Sequence, residues 1–169
     1  FSARKASLLR IFGESGGTTL NFTNVRRNDS PEIDYANFQW LKGQVDYRRY
    51  YPISKKQTLA YRLNFGLARP YGVSAGILPY EKYFFAGGGT SIRAWQARRL
   101  GPGSSTPITG PGGNYDYRNE QPAEMILESM FEYRRKLFSY FDMAVFLDAG
   151  NSWMIGRDDA RPGADFRYD

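Results

Sequence analysis

The chain has 169 residues, enough for one domain with a core of its own. Its 23 lysines and arginines against 17 acidic residues give a net charge of +6, and it contains neither cysteine nor histidine. Disulfides, thiolate metal sites and catalysis by serine–histidine or cysteine–histidine pairs are therefore excluded. The basic residues are dispersed and form no stripe, so nucleic acid is not an expected partner.

No apolar run reaches the roughly 18 residues of a transmembrane helix. Aromatic residues make up 17% of the chain, with 13 tyrosines and 12 phenylalanines, yet mean hydropathy is −0.57. Large rings interleaved with polar groups suit alternating strands. The start, Phe1-Ser2-Ala3-Arg4, is neither an initiator methionine nor a signal peptide, and the chain reads as a piece of something larger.

A first strand is expected near 4–14, ambiguous in face, because Leu8 and Phe12 share a side with Arg10 while Leu9 and Ile11 share the other. Gly16-Gly17 ends it, and a polar connection follows to residue 34, with possible local structure around Leu20 to Phe22. Over 35–51, Leu41, Val45 and Tyr47 oppose Lys42, Gln44, Asp46 and Arg48. Over 57–69, Leu59, Tyr61, Leu63, Phe65 and Leu67 alternate with Thr58, Ala60, Arg62, Asn64 and Gly66, the cleanest strand pattern in the chain.

A long loop, 70–121, carries Gly87-Gly88-Gly89-Thr90-Ser91-Ile92-Arg93-Ala94-Trp95 and then a Gly/Pro/Ser/Thr-rich run from Gly101 to Asn114. Three glycines give the backbone unusual freedom just before an arginine flanked by Ile92 and Trp95, which suits a loop that plants Arg93 in an enclosed space. The alternative is a glycine-rich hairpin loop with an incidental arginine. The glycines make no phosphate loop, since the Gly-Lys-Ser/Thr ending is missing. Strands near 122–137 and 141–153 close the chain. Connections alternate long and short, and the strands exceed the usual five or six residues of a globular sheet. An outer-membrane barrel requires that pattern, and a soluble sandwich is its rival.

Phe84-Phe85-Ala86-Gly87-Gly88, Ser91-Ile92-Arg93-Ala94-Trp95 and Leu100-Gly101-Pro102 together resemble the signature of the sixth extracellular loop in the BamA/TamA family of outer-membrane assembly proteins. Ala94 and Trp95 depart mildly from the family's glycine and smaller aromatic. Phe131-Glu132-Tyr133-Arg134 and Phe146-Leu147-Asp148-Ala149-Gly150-Asn151-Ser152-Trp153 resemble the two strands that follow that loop, and the flavour is TamA-like.

The resemblance implies an all-β fold. Residues 1–169 would be a partial outer-membrane β-barrel domain, about five strands of a sixteen-stranded transmembrane antiparallel barrel with a lumen-folded long loop. It also implies a Gram-negative outer-membrane location and a non-enzymatic role in inserting, folding or translocating other outer-membrane proteins, with no cofactor or metal. Partners would be outer-membrane lipid, client proteins, and the remaining strands and periplasmic POTRA domains of the same parent. A plugged secretion pore or transporter, and the barrel of a patatin-type lipase fusion, are the alternatives.

The expected site is the motif Gly87, Gly88, Gly89, Ile92, Arg93, Ala94 and Trp95, with Glu132 and Asp148 as lumen partners of Arg93. A hairpin near residue 140 brings the two carboxylates opposite or diagonal on one polar face. Adjacent carboxylates repel unless a cation lies between them, and a planar guanidinium can donate to both. Ordinary lumen polarity shared with Glu124, Glu128 and Asp142, or glycosidase-like acid–base work, are the competing readings of the pair. Two further expectations follow: Asn64, facing the lumen, should accept arginine, and the Gly101–Asn114 run should lie nearer solvent than Arg93.

Overall fold

The computed structural model describes residues 5–18, 38–72, 76–106, 119–138 and 140–167. Five strands form one antiparallel sheet in sequence order: β1 (Ala6–Gly16), β2 (Trp40–Ser54), β3 (Gln57–Pro70), β4 (Met125–Lys136) and β5 (Asp142–Trp153). A 3-10 turn spans Tyr80–Lys82. No helix among the described residues is long and apolar enough to cross a membrane. The possible structure around Leu20 to Phe22 falls outside the described residues.

The strand ends differ from the sequence expectation for local reasons. β1 starts and ends two residues later than expected. Gly16 still pairs with Trp40, whose indole fills the space a side chain at 16 would need, 2.2 Å from a Cβ placed there. β2 continues to Ser54 through a bulge between Pro52 and Ser54, which takes up the proline at the end of the ladder. β4 begins at Met125 because Ala123 is engaged elsewhere, exchanging both backbone hydrogen bonds with Phe84 of the loop at 2.8 and 2.9 Å.

Register decides the face that β1's sequence leaves open. Arg10 lies opposite Asp46 and Leu8 opposite Arg48, so Leu8 and Phe12 join the polar face while Leu9 and Ile11 join the apolar one. The apolar face then carries Leu9, Ile11, Val45, Leu63, Phe65, Leu127 and Leu147 in adjoining rows. Nothing among the described residues packs on it: Ile11 is 73% and Leu147 71% exposed.

The buried apolar cluster sits on the opposite side. Phe84, Ala86, Ile92 and Leu100 of the loop and Leu78 pack with Ala68 and Ile126 of the polar face. A sandwich would bury the apolar face against a second sheet, and this protein covers its polar face with a loop instead.

The covered polar face also corrects the expectation for Asn64. Its side chain, in a residue only 3% exposed, accepts from Gln44 and donates to Glu128, each at 2.8 Å. Arginine cannot replace it there without leaving Glu128 or Gln44 unpartnered. The two faces predict different tolerances elsewhere. In the membrane-embedded protein Leu63→Arg should cost about 2–4 kcal/mol near mid-bilayer, whereas Ala144→Glu, exposed on the polar face opposite Arg134, should be near neutral. Heat-modifiable migration on gels reads both, and equal losses would contradict the face assignment.

Candidate functional site: the loop latch

The loop reaches the polar face because glycines there clear a path. At Gly66 a Cβ would lie 2.5 Å from the Phe84 ring, so the ring can seat only over a glycine. At Gly150 a Cβ would lie 2.4 Å from the Leu127 carbonyl oxygen and 3.2 Å from Ile92 Cδ1, so this bare position lets buried Ile92 settle against β5. Gly87 and Gly88 take φ of +99° and +100°, where a side chain is strained. The chain then closes two tight turns, with Ser91 N–H donating to the Gly88 carbonyl at 3.0 Å and Trp95 N–H to the Ile92 carbonyl at 3.1 Å.

These turns aim Arg93 at β5. Its Nε and Nη2 donate to the two oxygens of Asp148 at 2.7 and 2.6 Å, and its backbone N–H donates to Asp148 at 3.2 Å. Nη1 reaches Glu132 at 3.4 Å. The guanidinium also stacks on Phe146, its central carbon 3.7 Å from the ring centroid. The hydrogen bonds to Asp148 raise the Arg93 pKa above the ordinary guanidinium value, so this cation stays charged.

The two carboxylates are diagonal neighbours, since Asp148 faces Met130 and Glu132 faces Phe146. They are not equal partners. Asp148 binds the fork bidentately, whereas Glu132 accepts its shorter bond, 2.8 Å, from Arg134 Nε.

The remaining motif residues divide. Ala94 and Trp95 are exposed, and Trp95 serves the turn through its backbone, its carbonyl accepting from Gly88 N–H at 3.0 Å. Gly89 has an ordinary φ and nothing within 4 Å of a built Cβ, so only two of the three glycines are required by geometry.

Sequence reasoning missed a second anchor one turn away. The Ser91 hydroxyl donates to Glu128 and accepts from Gly87 N–H, and Arg62 Nη1 donates to the Thr90 carbonyl at 2.7 Å. Arg62 is itself held by Asp46, which also binds Arg48. Glu128, 2% exposed, is thus a docking group and not ordinary lumen polarity. Its position four residues before Glu132 on the same strand face was the available signal. Beyond the turns, Leu100, Gly101 and Pro102 pack on β5: Ser152 donates to the Leu100 carbonyl at 3.2 Å, and Pro102 is fully buried. The expectation of a solvent-facing run fails at this end, while residues 107–114 lie outside the described ones.

A strip of sheet with one bare apolar face, and a polar face covered by its own loop, is the wall of a transmembrane β-barrel. The Omp85 superfamily domain matches residues 19–167, and the chain belongs to that superfamily, a family of outer-membrane proteins engaged in protein insertion and secretion. Its members are generally non-enzymatic. No curated protein gives a significant match.

The glycine geometry makes a direct prediction. Gly89→Ala should leave loop stability unchanged, whereas Gly87→Ala, strained at positive φ and 2.4 Å from the Gln96 carbonyl, should cost at least about 1–2 kcal/mol. Amide exchange of the loop measures the difference.

Proposed function

We propose that this chain forms part of the barrel of a Gram-negative outer-membrane protein that assists insertion, folding or translocation of other outer-membrane proteins, and that Arg93 latches the loop to the barrel wall for that work. The bidentate Arg93–Asp148 pair carries the reading. A loop merely covering a pore could be held by burial alone. A planar cation locked in two directions, stacked on Phe146 and backed by Ser91–Glu128, fixes both position and angle of the loop against β4 and β5. In this reading Glu132 is the lesser partner, shared between Arg93 and Arg134, and no residue performs covalent chemistry. The clients would be unfolded outer-membrane polypeptides, and the surrounding lipid would contact the apolar face.

A plugged pore is the second reading, favoured by the same seating of the loop on the polar face. The two part on what loosening the latch does. Arg93→Ala in the membrane-embedded protein should lower the rate of client insertion into vesicles by about tenfold, matching the loss of a charge-assisted hydrogen-bonded pair, with little change in ion conductance. Asp148→Asn should behave alike, and Glu132→Gln should be much milder. A large rise in conductance with client insertion intact would support the plug instead.

A further inference from the structure

The apolar face holds charges of one sign only. Among the described residues it carries Lys5, Arg49, Arg69 and Arg135 and no aspartate or glutamate. None of the four forms an ion pair with another described residue, whereas the carboxylates of the polar face at Glu14, Asp46, Glu132 and Asp148 are all paired. An unpaired cation facing hydrocarbon is costly, and one at the rim is stable only where anionic groups or water meet it.

Three of the four, Lys5, Arg49 and Arg135, lie toward the short-turn end. Outward tyrosines accompany them: Tyr51, whose ring centroid is 4.9 Å from Lys5 Nζ, Tyr61, opposite Arg49, and Tyr133, two residues before Arg135. Phe138, Tyr140 and Phe141 in the β4–β5 turn are also exposed, Tyr140 by 93%. Aromatic rings and cations at one level mark the headgroup zone of a bilayer.

At that level the two short turns are joined, Lys136 N–H donating to the Lys56 carbonyl at 2.9 Å. Between them lies a cleft of about 450 Å³ lined by Ser54, Lys55, Lys56, Gln57, Arg135, Lys136 and Leu137, with no acidic residue among these described ones. Asp142, opposite Lys136 across the ladder, is the one nearby acid and offsets a single charge. None of the four cations forms an ion pair with a described residue. Such a cleft joins a strongly positive rim to an apolar patch at Leu137, and it opens on the apolar face, where Arg135 is exposed.

We propose that this cleft binds the phosphodiester headgroup of an anionic phospholipid in the leaflet next to the short turns. Lys55, Lys56 and Arg135 contact the phosphate, Ser54 and Gln57 supply neutral hydrogen bonds, and the acyl chains lie along the apolar face. The inference rests on the barrel reading, because only a membrane brings acyl chains and phosphate to one place. A free phosphate ion would use the cations but not the apolar approach, and an acidic polypeptide would not need the outward Arg135.

The test places the membrane-embedded protein in nanodiscs of equal phosphatidylglycerol and phosphatidylcholine and measures the lipid retained after gentle detergent extraction by native mass spectrometry. Each cation near the surface contributes about fivefold, so the protein should retain phosphatidylglycerol at least about tenfold over phosphatidylcholine. Lys55→Gln/Lys56→Gln/Arg135→Gln should bring the ratio to about one, and Lys55→Arg/Lys56→Arg/Arg135→Lys should restore it. Equal retention of the two lipids by the unaltered protein overturns the proposal. So does displacement of the lipid by millimolar inorganic phosphate, or by polyglutamate. Heat-modifiable insertion into phosphatidylcholine alone, measured in parallel, tests the barrel reading separately: insertion without selectivity defeats only the headgroup site, and failure to insert in any bilayer defeats the barrel.

Discussion

A loop must be held against one face of a sheet whose other face no described residue covers, and most local features of the chain follow from that requirement. Covering the polar face buries Asp46, Asn64 and Glu128, each of which would be costly without partners. Each is therefore hydrogen-bonded: Asp46 to two arginines, Asn64 to Gln44 and Glu128, and Glu128 to the loop through Ser91. Ordering a loop residue costs about 1–2 kcal/mol of backbone entropy, and one charge-assisted hydrogen bond returns only about 1.5–3. The Arg93 fork cannot order the loop alone. It sets the angle, and burial of Phe84, Ile92 and Leu100 over Gly66 and Gly150 supplies the rest.

The same division of labour explains why glycines recur on the inner side of the strands. A side chain at Gly150 would strike the β4 backbone and Ile92 together, pushing the loop away from Asp148. One at Gly101, where φ is +86°, would strike the Ser152 hydroxyl, which secures the next part of the loop. The Asp-x-Gly pattern of β5 is thus one device: the aspartate grips the arginine, and the bare position two residues later receives the isoleucine beside it.

Much of this was legible in the sequence, and the failures are instructive. Strict alternation from Leu59 to Leu67 placed β3 almost to the residue, because both its faces are uniform. β1 could not be oriented from its own residues, since leucine and phenylalanine fall on both sides; only pairing of Arg10 with Asp46 settles it. Asn64 was misread because period-two alternation separates polar from apolar faces but cannot say that a distant loop covers the polar one. The inequality of Glu132 and Asp148 was illegible for a related reason. It depends on a two-residue offset across the β4–β5 ladder and on Arg134 competing for Glu132. Gly89 resembled its neighbours in sequence, and only its φ and the open space beside it separate it from them.

The Arg93–Asp148 coupling tests the account most directly. A double-mutant cycle on thermal stability of the folded barrel, with Arg93→Ala and Asp148→Asn made singly and together, isolates the pair from the rest of the loop. The geometry predicts a coupling energy of about 2–3 kcal/mol for this pair and less than about 1 kcal/mol for Arg93 with Glu132. Additive effects at Arg93 and Asp148, or a larger coupling to Glu132 than to Asp148, would contradict the latch.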